Sequence, residues 1–314
     1  MSAPLMRVRL RASYGGRCVL NDVQFELSEG EALGMVGTSG AGKTTLAMAI
    51  LGLLAWRGGG VSGEVRIEGA NLLTLSAAES RRIRGKTIAL VPQSPMTALN
   101  PAVSLRSHFD EAWRAHASAG RKALDARLEE LMSEVQLPAG DTGFLCRKPG
   151  QISVGQAQRV LIALALLHRP RILIADEPTS ALDPVTQVEI IKVLHRLSLQ
   201  SGTALLYISH DIVSVLQLCE KLAVLHSGTV VEYLQVAQIE HALHSATLSL
   251  IHALPVPVRV LLSHCGKCGD AYDRAQPQLA EPIKLPPDKM PERIQGAGFR
   301  LMSGFETLSQ QNER

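Results

Sequence analysis

The chain has 314 residues, 46% of them apolar and 19% charged, with a formal charge of +3 and a pI near 8.6. That is an ordinary globular composition, with room for one large domain and an appendage. The slight basic excess does not by itself argue for a nucleic-acid partner, and it is compatible with work beside an anionic membrane face.

The amino-terminal MSAPLMRVRLR alternates apolar residues with arginine and has no apolar h-region. It reads as a first strand, and the protein is expected to stay in the cytoplasm. Short strands with turns between them follow: Met6 to Ala12, Val19 to Leu27, Ala32 to Val36, Gly63 to Glu68 and Thr87 to Val91. The apolar runs Leu46 to Trp56 and Val160 to Leu167 are shorter than the roughly 20 residues a bilayer span needs. From Ser94 to about Arg147 the pattern turns helical, with Leu124, Leu128, Leu131 and Val135 three or four apart, and this predicts an inserted helical subdomain. Buried, continuous strand signals return at Ile172 to Ala175 and Ala204 to Ile208, separated by helices near Thr186 to Leu199 and Ile212 to Glu220. That alternation predicts a parallel sheet covered on both faces. Leu222 to Leu225, the turn His226-Ser227-Gly228, and Thr229 to Glu232 read as a closing hairpin. Beyond Pro255 the chain is rich in proline and loses periodicity, which predicts a loosely ordered tail over 256–314.

Directly after the strand Ala32 to Val36 stands Gly37-Thr38-Ser39-Gly40-Ala41-Gly42-Lys43-Thr44, followed by an apolar helical run from Thr45 to Leu54. This is GxxxxGK[ST] in its strand–loop–helix context, a phosphate loop for a nucleoside triphosphate, read as ATP. Glycines let backbone N–H groups converge on phosphate oxygens at the positive end of a helix. Lys43 brings a mobile charge to the β- and γ-phosphates, and the Thr44 hydroxyl is a candidate Mg²⁺ ligand. The run Ile172 to Ala175 delivers Asp176 and Glu177 to the carboxyl end of a buried strand, where open α/β sheets hold their ligands. Asp176 is the candidate for holding Mg²⁺, and Glu177 for orienting or deprotonating the attacking water. His210 lies at the end of a neighbouring strand, a position where a lone histidine is commonly structural.

Ile152-Ser153-Val154-Gly155-Gln156-Ala157-Gln158-Arg159, opening the apolar helix before the acid pair, resembles the signature segment of the ABC-type ATPases. The match covers residues 5 to about 255. The resemblance implies an α/β fold: a P-loop NTPase core with an ABC-type antiparallel β subdomain and an inserted helical subdomain, at about 94–165, within an ATPase domain over 1–255. It also implies roles for Tyr14 in stacking on adenine, for Gln93 toward Mg²⁺ and the γ-phosphate, for Ser180-Ala181-Leu182-Asp183 as the D-loop, and for His210 as the switch histidine. Domains of this kind dimerise head to tail, so Ser153, Gly155 and Gln156 of one chain would complete the site at the other chain's phosphate loop, and Asp183 of the D-loop is also placed at the nucleotide. The signature usually reads LSGGQ, and here Ile152 and Val154 depart from it. A β-branched residue resists positive φ, so Val154 is a liability if the backbone there needs glycine.

Val91-Pro92-Gln93-Ser94-Pro95-Met96-Thr97-Ala98-Leu99-Asn100-Pro101 is similar to the FQDPMTSLNP segment of peptide and nickel importer ATPases, with Ser94 in place of aspartate. His244-Ser245-Ala246-Thr247 and Ala253-Leu254-Pro255 form a second, weaker likeness. The expectation is therefore an ATPase at the cytoplasmic face of the plasma membrane, energising an importer of di- or oligopeptides or of nickel. Its partners would be a second ATPase subunit, integral permease subunits and, indirectly, a substrate-binding protein, with no nucleic acid. Pro95, Met96, Leu99 and Pro101 offer either a surface for a permease helix or packing of the arm on the core. The rival is a soluble ABC ATPase acting on nucleic acid or ribosomes, or a transporter subunit for another substrate. Such soluble proteins usually carry a long coiled coil before the signature, and only about 59 residues separate Gln93 from Ile152. The pair Cys265 and Cys268 has the spacing of a metal half-site but no second CxxC to close a tetrahedral site.

Overall fold

β1 (Met6–Tyr14) and β2 (Arg17–Leu27) alternate buried and exposed side chains over most of their length, the pattern of half-buried antiparallel strands, and they pair across the turn at Gly15-Gly16. The computed structural model describes residues 3–117, 119–141 and 143–254. The tail expected from 256 onward, with Cys265 and Cys268, lies outside the described residues.

β3 (Ala32–Val36) leads through the phosphate loop into α1 (Lys43–Ile50). The helix stops four residues before the predicted Leu54, because Gly52 takes φ +64° and turns the chain out of the helix into a separate 3-10 turn at Leu54–Arg57. β4 (Gly59–Ile67) and β5 (Ala70–Asn71) complete an antiparallel sheet of order β2-β1-β4-β5. After the surface helix α2 (Ala77–Ile83), β6 (Ile88–Val91) enters a second sheet with β7 (Ile172–Asp176), β8 (Ala204–Ser209), β9 (Lys221–His226) and β10 (Thr229–Gln235). Its order is β10-β9-β3-β8-β7-β6, parallel except for β10.

The continuous apolar text of the central strands follows from burial on both faces. Leu173, Ala175, Leu205 and Tyr207 point into one core, whereas Ile174, Leu206 and Ile208 point into another, shared with α1 and with β1 and β2. The β9–β10 turn is left-handed at Ser227 (φ +47°) and Gly228 (φ +78°), as a tight two-residue hairpin requires.

Between β6 and β7 the chain forms the arm: α3 (Pro95–Ala98), α4 (Leu105–His116), α5 (Arg121–Glu134) and α6 (Val154–Leu166). Leu124, Leu128 and Leu131 of α5 meet Phe109 of α4 in the first core. Arg127 donates to the carbonyls of Leu166 (2.9 Å) and Leu167 (3.3 Å), closing the carboxyl end of α6. α7 (Pro184–Ser201), α8 (Ile212–Leu218) and α9 (Ser245–His252) complete the helices named here. Among the described residues no helix is long and apolar enough to cross a membrane.

Candidate active site

The register of the parallel sheet sets the site. Val36 pairs with Ser209, and Asp176 with Ile208, so the residues that follow β3, β7 and β8 emerge at one edge. Val91 pairs with Ala175, which brings Gln93 to the same edge.

Glycine is required at three points of the phosphate loop, one of them Gly40 at φ +80°. A Cβ at Gly37 would lie 2.3 Å from the Leu225 carbonyl oxygen, and Gly42 sits at φ +105° against the Leu20 side chain. Gly42 caps α1 without a side chain, and the first turn contains no acidic residue. Lys43 is 5% exposed, yet its ammonium is fully engaged. Nζ donates to the carbonyls of Gly37 (2.9 Å) and Thr38 (3.2 Å) and pairs with Glu177 Oε1 at 3.2 Å, which uses its three donors.

Glu177 is the centre of the cluster. Besides Lys43 on Oε1, its Oε2 accepts from Gln93 Nε2 at 3.0 Å and lies 3.2 Å from His210 Nδ1. Its backbone is left-handed at φ +46°, held by a bond from its N–H to the Ile208 carbonyl. Asp176 beside it is buried, and its Oδ1 has no hydrogen-bond partner. Burial pushes the Asp176 carboxyl above its usual range, opposed by a hydrogen bond from the Thr44 side chain and by the Lys43 charge, while the Glu177 charge adds to the rise. A buried carboxylate oxygen without a partner, next to a threonine hydroxyl, fits a divalent cation bound by oxygen ligands.

Asp183 caps α7: Oδ1 accepts from the N–H groups of Val185 and Thr186, and Oδ2 from the Thr186 hydroxyl at 2.6 Å. These bonds, the Thr186 hydroxyl above all, hold its carboxyl below the usual range. Tyr14 ends β1 half-buried, its ring close to Gly59.

The signature segment stands apart from this cluster. Ser153 caps α6 and accepts from the Gln156 N–H at 3.1 Å, while Gln156 Oε1 accepts from the Ser153 N–H at 3.1 Å. The polar groups of these two residues are thus turned on each other. Val154 is the first residue of α6 and lies outside the left-handed region, so the backbone here makes no demand for glycine. Gly155 does need to be small, because a Cβ there would lie 2.7 Å from Thr186 Cγ2.

Of the apolar quartet after Gln93, Leu99 and Pro95 are buried, whereas Met96 and Pro101 are exposed. Leu99 therefore belongs to the core. The capture of Lys43, Gln93 and His210 by one carboxylate was not read from the sequence, since it joins Glu177 to Gln93, 84 positions away, and to the still more distant Lys43. Nor was the pairing of Arg159 with Glu189 at 2.7 Å, although its place one helical turn after Gly155 is a usable signal.

Residues 20–180 match the ABC transporter family. The chain belongs to that family. It is an ATPase whose hydrolysis is coupled to transport. Among curated proteins it is 36% identical to the oligopeptide transport ATP-binding protein OppD of Haemophilus influenzae, over 79% of this chain and 76% of that protein. It is also 36% identical to the glutathione import ATP-binding protein GsiA of Escherichia coli, over 75% of this chain and 39% of that longer protein. Among solved structures, a dimeric ATP-binding cassette in a post-hydrolysis state bound to ADP and Pi superposes with a TM-score of 0.63 at 27% identity, covering 74% of this chain and 98% of that one.

Proposed function

We propose that this ABC ATPase energises an importer of di- or oligopeptides as a peripheral subunit on the cytoplasmic face of the plasma membrane. The observation that carries the catalytic part is the convergence of Lys43, Gln93 and His210 on Glu177. Those three groups surround the place where a γ-phosphate and its attacking water would meet the carboxylate. The Gly37–Thr44 loop binds the phosphates, and Lys43 reaches them by exchanging its carbonyl and Glu177 acceptors for phosphate oxygens. Glu177, so released, positions or deprotonates the water, Gln93 and His210 orient the reacting groups, and Tyr14 stacks on the adenine. Mg²⁺, when bound, neutralises phosphate charge. Thr44 and Asp176 would hold it, with Gln93 beside them, and the partnerless Asp176 Oδ1 supports that placement.

Ser153, Gly155, Gln156 and Asp183 act on the nucleotide of a second cassette arranged head to tail. The self-contained Ser153–Gln156 cap and the dimeric cassette among the similar structures support this reading. The peptide class rests on the oligopeptide and glutathione carriers among the relatives and on the Gln93–Pro101 segment. The exposed Met96 is the candidate contact for a permease helix.

Uptake of labelled dipeptides and of nickel in cells carrying Met96→Asp tests the assignment. The purified variant is expected to fold and bind ATP as the unaltered chain does, while permease association and peptide uptake fall at least about tenfold, as for one desolvated charge at an interface. Unchanged uptake of peptides in cells lacking the chain refutes peptide import, and loss of nickel uptake alone reassigns the substrate.

A further inference from the structure

The end of α1 and the segment between α2 and β6 meet at the surface through Arg84. Its Nε donates to the Leu51 carbonyl at 2.8 Å and its Nη2 to the Gly52 carbonyl at 3.3 Å, where the chain leaves α1. The same guanidinium lies over the ring of Trp56, 5.7 Å from its centroid. Trp56 belongs to the 3-10 turn Leu54–Arg57 and is 79% exposed. Among the described residues of 51–92 it is the one large apolar side chain left in solvent, and its indole N–H donates to none of the described residues.

The ring stands among cations. Arg57 follows it in the turn, Arg81 and Arg82 lie in the last turn of α2, and Lys86 precedes β6. All four are exposed, and none forms an ion pair within the described residues. Burial, then the Arg81 charge, holds the Arg84 guanidinium below its usual range, so Arg81 reaches the same place. The one acid among residues 51–58 and 77–88 is Glu79, and its carboxylate is engaged elsewhere. It accepts from the Ser76 N–H at 2.9 Å and the Ser76 hydroxyl at 2.6 Å, in the capping box of α2.

A permease helix needs an apolar groove that receives anchors at helical spacing, and Trp56 has no exposed apolar neighbour in these segments. An anionic bilayer face asks for what this surface has. An indole sits at headgroup depth with its ring in the apolar layer and its N–H in the wet one, and cations on long stems meet phosphates wherever those lie. We propose that Trp56, Arg57, Arg81, Arg82 and Lys86 dock this chain on anionic phospholipid headgroups, the ring entering the interface and the cations pairing with phosphates. Arg84, fixed by its two backbone bonds, is the support on which the ring rests. The proposal rests on the reading above that the chain works at the cytoplasmic face of the membrane.

The full purified chain, without permease, is mixed with vesicles of phosphatidylglycerol and phosphatidylcholine, or of phosphatidylcholine alone. It should sediment with the anionic vesicles only, come off as salt rises, and stay bound when inorganic phosphate replaces chloride at equal ionic strength. Arg81→Gln combined with Arg82→Gln should weaken partition about 25-fold, at about fivefold per cation, with ATP binding unchanged. Indole emission should shift to the blue on anionic vesicles, and Trp56→Phe should abolish that shift, because the remaining Trp113 already donates its N–H to the Ala119 carbonyl. Equal partition onto neutral and anionic vesicles, or undiminished partition of the double variant, overturns the proposal. If the chain binds neither vesicle while the double variant no longer co-purifies with permease subunits in detergent, the surface is a protein contact: lipid docking is refuted and the membrane reading stands. If the unaltered chain neither binds vesicles nor co-purifies with permease subunits, the membrane reading itself has failed, and the proposal with it.

Discussion

Helices α1 and α6 both begin at residues assigned to phosphate, yet their first turns are closed in opposite ways. α1 starts from Gly42 with no side-chain cap, and the loop before it bends at two left-handed glycines, Gly40 and Gly42. α6 starts under a reciprocal Ser153–Gln156 capping box, which already satisfies the Ser153 and Gln156 N–H groups. The difference teaches a division of labour. On the head-to-tail reading proposed above, the bare amino terminus with glycines around it takes an anion by itself, whereas the self-capped one exchanges its cap for a phosphate that a second chain presents.

The largest test of that contrast is Glu177→Gln in the purified dimer, which leaves the open α1 terminus intact. Turnover is expected to fall about 10² to 10⁴-fold, the range for loss of a general base. ATP affinity should hold or rise, because Lys43 no longer has a charged competitor on the protein, and ATP-stabilised dimers should accumulate in size-exclusion runs. Near-normal hydrolysis would remove Glu177 from its role. A smaller effect is expected from Ser153→Ala at the capped terminus. Loss of the cap costs about 1 kcal/mol of stability, and hydrolysis by the dimer falls while ATP binding to the isolated chain, measured by titration calorimetry, does not. Weaker binding to the isolated chain would mean that α6 serves its own nucleotide and would erase the contrast.

The smallest effect concerns the far end of α6, where His168 stacks on Trp113 and meets His116 of α4 edge-on, with ring centroids 5.4 and 5.0 Å apart. Burial, then the neighbouring His168, lowers the His116 pKa from its ordinary 6.5, with Lys86 adding to the shift against a backbone bond to Arg84. Between 6.5 and that lower value the unfolded chain binds more protons than the folded one, so stability is present above this window and is lost as pH falls through it. His116→Gln should flatten the fall in melting temperature between about pH 7 and 5. An unchanged slope would show that this junction does not sense protons.

Much of this was legible in one dimension. The central strands announced themselves because burial on both faces leaves nothing but apolar text, and the phosphate loop because glycine, lysine and threonine must stand at fixed spacing. The acid pair followed from the edge at which a buried strand ends. What escaped the reading depends on distant neighbours. Leu99 and Met96 look alike in sequence, and only the packing of α3 against α6 decides that one is core and the other surface. The helix predicted to Leu54 was cut short by Gly52, whose left-handed turn an apolar count ignores. Val154 stands where its family usually has glycine, and the objection that it would resist positive φ falls away once its helical backbone is seen. The carboxylate hub at Glu177 and the Arg159–Glu189 tie each join chain segments that no local pattern relates.

The left-handed backbone at Glu177 has a bearing on how this protein would respond to selection. A residue other than glycine held at φ +46° carries a penalty of roughly 1 to 2 kcal/mol, which asparagine escapes in part through its short polar side chain. Glu177→Asn relieves that penalty but leaves the buried Lys43 ammonium without its carboxylate, a larger loss, so the melting temperature should fall and turnover should be abolished. Selection for heat resistance alone therefore keeps the strained glutamate in place for the sake of its ion pair, and a screen for stability and a screen for phosphate release retain the same side chain.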